Sequence, residues 1–158
     1  MPDEPVPDIN HGDSDAWRVL DRYRELELQL AIFGHHLSAK IGMRPVDLQC
    51  FNLVHRHEQV TIGELARLLE LRPATTTGIV DRLSAQGWVT RDRDGADRRT
   101  VSVRVLPDRL PELFGHLAPL GEELSAMLDR LSADEVGVIA DFLDHAAGAT
   151  RRATTGDA

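Results

Sequence analysis

Seven arginines and four aspartates fall between Arg72 and Arg104, in the run RPATTTGIVDRLSAQGWVTRDRDGADRRTVSVR. Their order tells more than their number. Thr75, Thr76 and Thr77 follow Pro73 on what reads as the first turn of a helix. A tight turn comes at Gly87, and two strands then flank a loop that carries Asp97, Arg98 and Arg99. Small hydroxyl side chains on a first helical turn can enter a major groove and touch phosphates and base edges. An arginine-tipped hairpin beside that helix can reach the adjacent minor groove. Together they make the working end of a winged helix-turn-helix, and the chemistry they offer is binding of double-stranded DNA. Three β-branched residues in a row suit a helix interior poorly, which fits a surface duty for the threonines. Arg72 is a further candidate phosphate ligand. Arg91 and Arg93 can touch phosphates or pair with Asp92 and Asp94, and Arg82, beside Asp81, fits a structural ion pair within the domain.

The whole chain of 158 residues has a formal charge of −8, which looks wrong for a nucleic-acid partner until it is divided. Arg72 to Arg104 carries +3; the remainder, with eleven basic and twenty-two acidic residues, carries −11. Positive charge is thus concentrated where phosphate contact is expected, and the acidic remainder repels DNA from the other faces.

These residues need a scaffold, and helical periodicity supplies one. The acidic, Pro-rich residues 1–13 show no periodicity and read as a disordered tail. Ser14 or Asp15 can cap a long helix in which Val19, Tyr23, Leu26, Leu30, Phe33, Leu37 and Ile41 form one stripe, stopped by Gly42. Pro45 suits the first turn of a second helix ending near His57. Thr61-Ile62-Gly63-Glu64 is a capping box opening a third, to about Glu70. The fourth runs from Pro73 to Gln86, with Ile79, Val80 and Leu83 inward. Trp88-Val89-Thr90 starts a strand, and residues 100–105 alternate as its partner should. Leu110, Leu113, Leu117, Leu120, Leu124, Leu128 and Leu131 stripe a fifth helix, which Pro119 should kink. Ser132 to Glu135 forms a second capping box before the last helix, and the chain from Gly148 onward reads as frayed.

The expected fold is mainly α with a small β-wing: a winged helix-turn-helix DNA-binding domain with N- and C-terminal helical dimerisation arms. Residues 14–147 form a single domain, with arms at 14–42 and 107–147 and the reader at 45–105, between tails at 1–13 and 148–158. The first and fifth helices carry more apolar surface than a winged domain of roughly 60 residues can cover, so they require each other and a second subunit. A homodimer is the expected assembly.

Other chemistries fit less well. No apolar run approaches the ~20 residues of a membrane span, no membrane partner is expected, and the N-terminus lacks the pattern of a signal peptide. The single cysteine, Cys50, provides no intrachain disulfide framework and suits a reducing cytoplasm. It reads as a small buried residue, since nothing near it in sequence would lower its pKa. His35 with His36, His55 with His57, and His116 invite a metal. Adjacent helical histidines diverge by roughly 100°, however, and no Cys or Glu completes a ligand set at suitable spacing. No metal and no cofactor is expected. Nucleophile elbow, phosphate loop, GxGxxG and HExxH motifs are all absent, so an enzyme is not expected.

The run TTTGIVDRLSAQGWVTRDRDGADRRTVSVRV resembles the recognition helix and wing of the MarR (multiple antibiotic resistance regulator) family of transcription factors. The shared pattern is Val80-Asp81-Arg82-Leu83, the Gly87 turn, and Asp94-x-x-Asp97-Arg98-Arg99 before an alternating strand, and the helix order extends it over about residues 14–147. The resemblance implies an obligate homodimer on a near-palindromic operator, usually a repressor released by a small molecule or oxidant. It makes Arg99 the wing-tip arginine entering the minor groove, held by Asp97, and places Pro73 to Thr77 at the major groove. It also implies an effector cleft between the first, second and fifth helices, for which His35, Phe51 and His116 are candidates. Two departures stand out: Arg72 occupies a position where Ser or Thr is common, and LPDRLPEL replaces an LTPEG-like start of the fifth helix. Relatives that sense peroxide carry their cysteine near the start of the first helix, unlike Cys50. The competing reading is a winged-helix dimer used only as a protein-interaction module, against which the arginine-rich wing argues.

Overall fold

A computed structural model of the chain describes residues 14–92 and 101–155. The readings placed on the tail 1–13, on Arg93, Asp97, Arg98 and Arg99, and on 156–158 lie outside the described residues. The chain divides between Pro111 and Glu112 into two compact units.

In the first unit, local capping chemistry sets the helix boundaries. The Ser14 hydroxyl accepts from the Trp17 N–H at 3.2 Å and opens α1 (Asp15–Lys40). After it, Gly42 takes φ +70, a left-handed turn that glycine adopts without steric cost. Pro45 starts α2 (Pro45–His57), where the missing N–H costs nothing. Thr61 caps α3 (Ile62–Leu68): its hydroxyl accepts from the Glu64 N–H, and the Glu64 carboxylate accepts from the Thr61 N–H at 2.9 Å. A second proline opens α4 (Pro73–Ala85), closed by Gly87 at φ +75.

The sheet has three strands where the sequence reading found two. The additional strand, β1 (Val60–Thr61), is only two residues long and doubles as the lead-in to α3. It lies beside β3 (Ser102–Val105), which pairs on its other edge with β2 (Val89–Asp92), all antiparallel in the order β1-β3-β2. Register sets Val60 against Val103 and Val89 against Val105.

One core joins these pieces. Phe51, Val54, Leu65, Ile79, Val80, Leu83, Trp88, Val89 and Val103 are buried, drawn from α2, α3, α4, the turn that follows α4 and the sheet. Phe51 meets Trp88 edge to face, with centroids 5.5 Å apart at 74°, so α2 is keyed to the point where α4 hands over to β2. By contrast, the first part of α1 is largely uncovered: Val19, Leu26 and Leu30 of the stripe are exposed, as are Leu20, Leu28 and Ile32 beside it, and burial begins at Leu37.

A 3-10 turn at Pro107–Arg109 leads into α5 (Leu110–Leu128), which continues through Pro119. α6 (Ala133–Thr155) begins at the expected capping box, with the Ser132 hydroxyl accepting from the Glu135 N–H at 3.3 Å. It does not fray at Gly148, which corrects the expected tail. A single glycine costs about 1 kcal/mol in a helix interior. Here alanines surround it, and Arg151 and Arg152 near the C-terminus complement the helix dipole. Among the described residues, no helix is long and apolar enough to cross a membrane.

In this second unit the apolar stripes face outward. Phe114, Leu124, Met127 and Leu128 of α5 are exposed, as are Val138, Ile139, Phe142 and Leu143 of α6, and among its described side chains α6 has no buried residue.

Candidate nucleic-acid interface

The α3–α4 turn fixes where α4 points. Glu70 sits at φ +52, and the Leu71 N–H reaches back to the Ala66 carbonyl at 2.9 Å, closing α3 as α4 begins. Along α4, Thr76, Ile79, Val80 and Leu83 are buried, the i, i+3, i+4, i+7 face of a helix packed on one side. The other face presents Arg72, Ala74, Thr75, Asp81 and Ala85 to solvent, with Gly78 partly covered between them.

This phase separates the three threonines. Thr75 is exposed. Thr77 is half-buried, and its hydroxyl donates to the Pro73 carbonyl at 2.9 Å, so the side chain lies along its own helix. Thr76 is fully buried, with its hydroxyl 3.4 Å from the Arg72 carbonyl. The expectation that Thr76 touches DNA is therefore corrected. Successive helical residues turn by about 100°, and Thr76 shares its face with Ile79, Val80 and Leu83. Arg72 stands at the N-cap with no side-chain capping bond.

The arginines behind this face are engaged in the protein itself. Arg91 Nη2 lies 2.6 Å from Asp81 Oδ1 and donates to the Thr77 carbonyl at 3.3 Å, which ties β2 to the outer side of α4. Its partner among the described residues is thus Asp81, and not the neighbouring Asp92. Asp92 instead pairs across the strands with Arg104. Arg82 is a structural ion pair, as expected from its position, but with Asp47 of α2: Nε and Nη2 meet the two carboxylate oxygens at 3.1 and 2.6 Å. At the wing base, Gln59 donates to the Ser102 hydroxyl at 2.8 Å, and that hydroxyl donates to the Asp92 carbonyl at 3.3 Å. The link joins β2 and β3 to the residue just before β1.

A final brace comes from the segment that departs from the expected LTPEG pattern. The Arg109 guanidinium lies 4.0 Å from the centroid of the Trp88 ring, and Nη1 donates to the Gln86 carbonyl at 3.0 Å. A cation over an indole face and a charged bond to a helix-end carbonyl are both favourable. Neither Asp47 nor Arg109 is among the residues expected from sequence to support the reader. Asp47 carried a usable signal, an acid between Val46 and Leu48 on the first turn of an inward-facing helix; Arg109 carried none beyond the changed motif.

The effector candidates fare differently from one another. His35 and His116 are exposed, the first in the first unit and the second in the other. Phe51 is fully buried between Trp88 and the stacked His55 ring, 6.2 Å away, so it belongs to the core, and its assignment to a ligand cleft is corrected. Cys50 is also fully buried. Desolvation, and secondarily the charge of Asp47, push its thiol up to about 11. Among the described residues no group of three or more His, Cys, Asp or Glu could hold a metal ion.

Comparison with known proteins agrees with this geometry. Residues 41–100 match the MarR family. The uncharacterised HTH-type transcriptional regulator YsmB of Bacillus subtilis is 32% identical over 105 residues, 66% of this chain and 72% of that protein. YcgE of the same organism, described in the same terms, is 27% identical over 125 residues, 79% of this chain and 81% of its own length. Among solved structures, Streptococcus pneumoniae FabT in complex with DNA superposes with a TM-score of 0.65 at 16% identity, covering 87% of this chain and 98% of that one. At that identity the likeness speaks for the fold.

Proposed function

This chain belongs to the MarR family of DNA-binding, helix-turn-helix transcriptional regulators, and from that premise we propose that it acts as a homodimer on a near-palindromic operator, as a repressor that a small-molecule effector releases. The observation that carries the proposal is the outward face of α4, where Arg72, Ala74 and Thr75 stand exposed on a helix braced from behind by α2 and from the side by β2. Such a face is small enough to sit close to base edges and polar enough to meet phosphates. That FabT was solved with DNA supports the same use of this fold.

In this reading residues 45–105 are the reader and the helices at 14–42 and 107–147 are dimerisation arms. Arg72, Thr75 and Thr77 line the major-groove side, and Arg93, Arg98 and Arg99, with Asp97 orienting Arg99, serve the wing and its minor groove. Arg91 acts as a brace for α4. The uncovered stripes of α1, α5 and α6 supply the dimer surface: Val138 is 70% exposed and Leu143 48%, and exposed apolar stripes of this kind mark surfaces that a partner covers. Two recognition helices then enter successive major grooves about one helical turn apart. An effector that favours a dimer with wrongly spaced helices lowers operator affinity by that difference in binding alone.

The test is a mobility shift with DNA from upstream of the protein's own gene, unrelated duplex as competitor, and salt varied. A specific shift that survives excess competitor and weakens steeply with salt supports the reader. Sedimentation of a Val138→Asp, Leu143→Asp variant tests the dimer: half the wild-type mass and loss of the shift are expected, and an unchanged mass refutes the assigned surface.

A further inference from the structure

One contact in the reader is more elaborate than packing requires. Asp47 is 1% exposed, and both of its carboxylate oxygens are taken by the Arg82 guanidinium in a fork, Nε at 3.1 Å and Nη2 at 2.6 Å. The bond crosses from the first turn of α2 to the third turn of α4. A buried ion pair is a poor choice for stability alone, since apolar replacements of similar size are often as stable or more so. What a forked pair does supply is direction.

The next residue along α4 completes the geometry. Asp81 pairs with Arg91 of β2 at 2.6 Å, so two consecutive residues, about 100° apart around the helix, are held by different neighbours. The signs are reversed, arginine outward to α2 and aspartate outward to β2. Turning α4 about its axis breaks at least one pair.

We propose that Asp47 is a positioning residue for DNA recognition: through the forked bond to Arg82 it sets the rotation of α4, and so which side chains meet the base edges. This rests on the DNA-binding reading above. The sensitivity follows from the helix dimensions. A side-chain tip lies about 5–6 Å from the axis, so a rotation of roughly 20° moves Thr75 by about 2 Å. That exceeds the tolerance of a hydrogen bond.

The experiment uses the full chain. A duplex is first selected by the wild-type protein from a random library, and genomic duplex serves as the non-specific ligand. Two variants are compared with wild type: Asp47→Leu with Arg82→Met, which replaces the pair by apolar groups of similar size, and Arg82→Lys, which keeps the charge but not the fork. For each, unfolding, affinity for both duplexes and the salt dependence of binding are measured. Affinity for the selected duplex should fall about thirtyfold or more, the scale of one misread base pair in each half-site. Affinity for genomic duplex and the slope of log K against log salt should stay as in wild type, because no phosphate contact is removed. A purely structural pair would leave the ratio of specific to non-specific affinity untouched in any folded variant, and that result overturns the proposal. A slope reduced by about one or more in the double variant would make Arg82 a phosphate ligand and overturn it equally. Should the double variant not fold, Arg82→Lys decides alone, because Arg82 is 36% exposed and its charge is kept. Failure of the wild-type protein to enrich any sequence would refute the DNA-binding reading instead.

Discussion

The inward turn of Thr76 beside the outward turn of Thr75 offers the most direct test of how α4 is used. Thr75→Ala removes an exposed hydroxyl and methyl. On the protein alone it should be neutral or slightly stabilising, because alanine has the better helix propensity by up to about 0.7 kcal/mol. On DNA the loss is one contact in each half-site. A hydroxyl hydrogen bond contributes about 0.5–1.5 kcal/mol, so a symmetric dimer loses about 1–3 kcal/mol, or roughly 5- to 150-fold in Kd. Thr76→Val has the opposite profile. The Thr76 hydroxyl is 3.4 Å from the Arg72 carbonyl, a long contact, and that carbonyl also accepts from the Thr76 N–H at 3.1 Å. Exchanging the hydroxyl for a methyl therefore orphans nothing and should change stability by less than about 1 kcal/mol. DNA affinity should stay within about twofold of wild type. Fluorescence anisotropy with a labelled selected duplex reads both affinities, and urea unfolding reads both stabilities. If Thr76→Val, folded as stably as wild type, weakens binding while Thr75→Ala does not, the face assigned to DNA is the wrong one.

Three other expectations follow from the same structure. Cys50, with its thiol pushed up to about 11 and no exposure, should resist alkylation at pH 8, where roughly one thiol in a thousand is ionised, and should react fully in urea; rapid labelling of the folded protein would contradict this, and peroxide should leave DNA binding unchanged. The Glu64 and Glu135 carboxylates are both held below their ordinary 4.5 by hydrogen bonds from the backbone and hydroxyl of Thr61 and Ser132. A lowered folded pKa means stability that is present above 4.5 and lost as pH falls through the folded value. Glu64→Gln with Glu135→Gln should be less stable than wild type at pH 7, and the difference should vanish on acidification; a gap that persists at the lowest pH at which the fold survives would refute the capping account. Arg109→Met removes the cation over Trp88 and the bond to the Gln86 carbonyl. A loss of about 1–2 kcal/mol is expected, with a shifted Trp88 emission in a Trp17→Phe background, and unchanged stability and emission would argue that the brace is idle.

What the sequence disclosed was what local chemistry decides. The capping boxes at Thr61 and Ser132, the prolines at helix starts and the glycines after α1 and α4 act over three or four residues, and each boundary falls where those residues dictate. Partners far apart in the chain were out of reach. β1 exists because Val60 and Thr61 find β3 more than forty positions later, and two residues carry no alternation of their own. Asp47 finds Arg82 thirty-five positions on, while the nearer Asp81 turns away to Arg91. The threonines are a different matter. Thr76, Ile79, Val80 and Leu83 already make the inward pattern on paper, so the fate of Thr76 was readable from helical phase. The chemistry of the hydroxyl, common to all three threonines, obscured it.

The internal ion pairs also change what the positive charge of the reader can do. Of the arginines in 72–104, Arg82, Arg91 and Arg104 are committed to Asp47, Asp81 and Asp92. Setting those pairs aside leaves Arg72, Arg93, Arg98 and Arg99 against Asp94 and Asp97. A chain with a formal charge of −8 and so modest a positive surplus cannot rely on long-range attraction to hold DNA in any orientation. In the proposed mode its affinity comes from contacts made where helix and wing are seated together, since the rest of the chain carries a net −11. In that mode charge spent inside the domain lowers non-specific binding, and two of the pairs, Arg82 with Asp47 and Arg91 with Asp81, hold α4. Both effects raise the ratio of specific to non-specific affinity, which is the quantity a regulator searching a genome depends on.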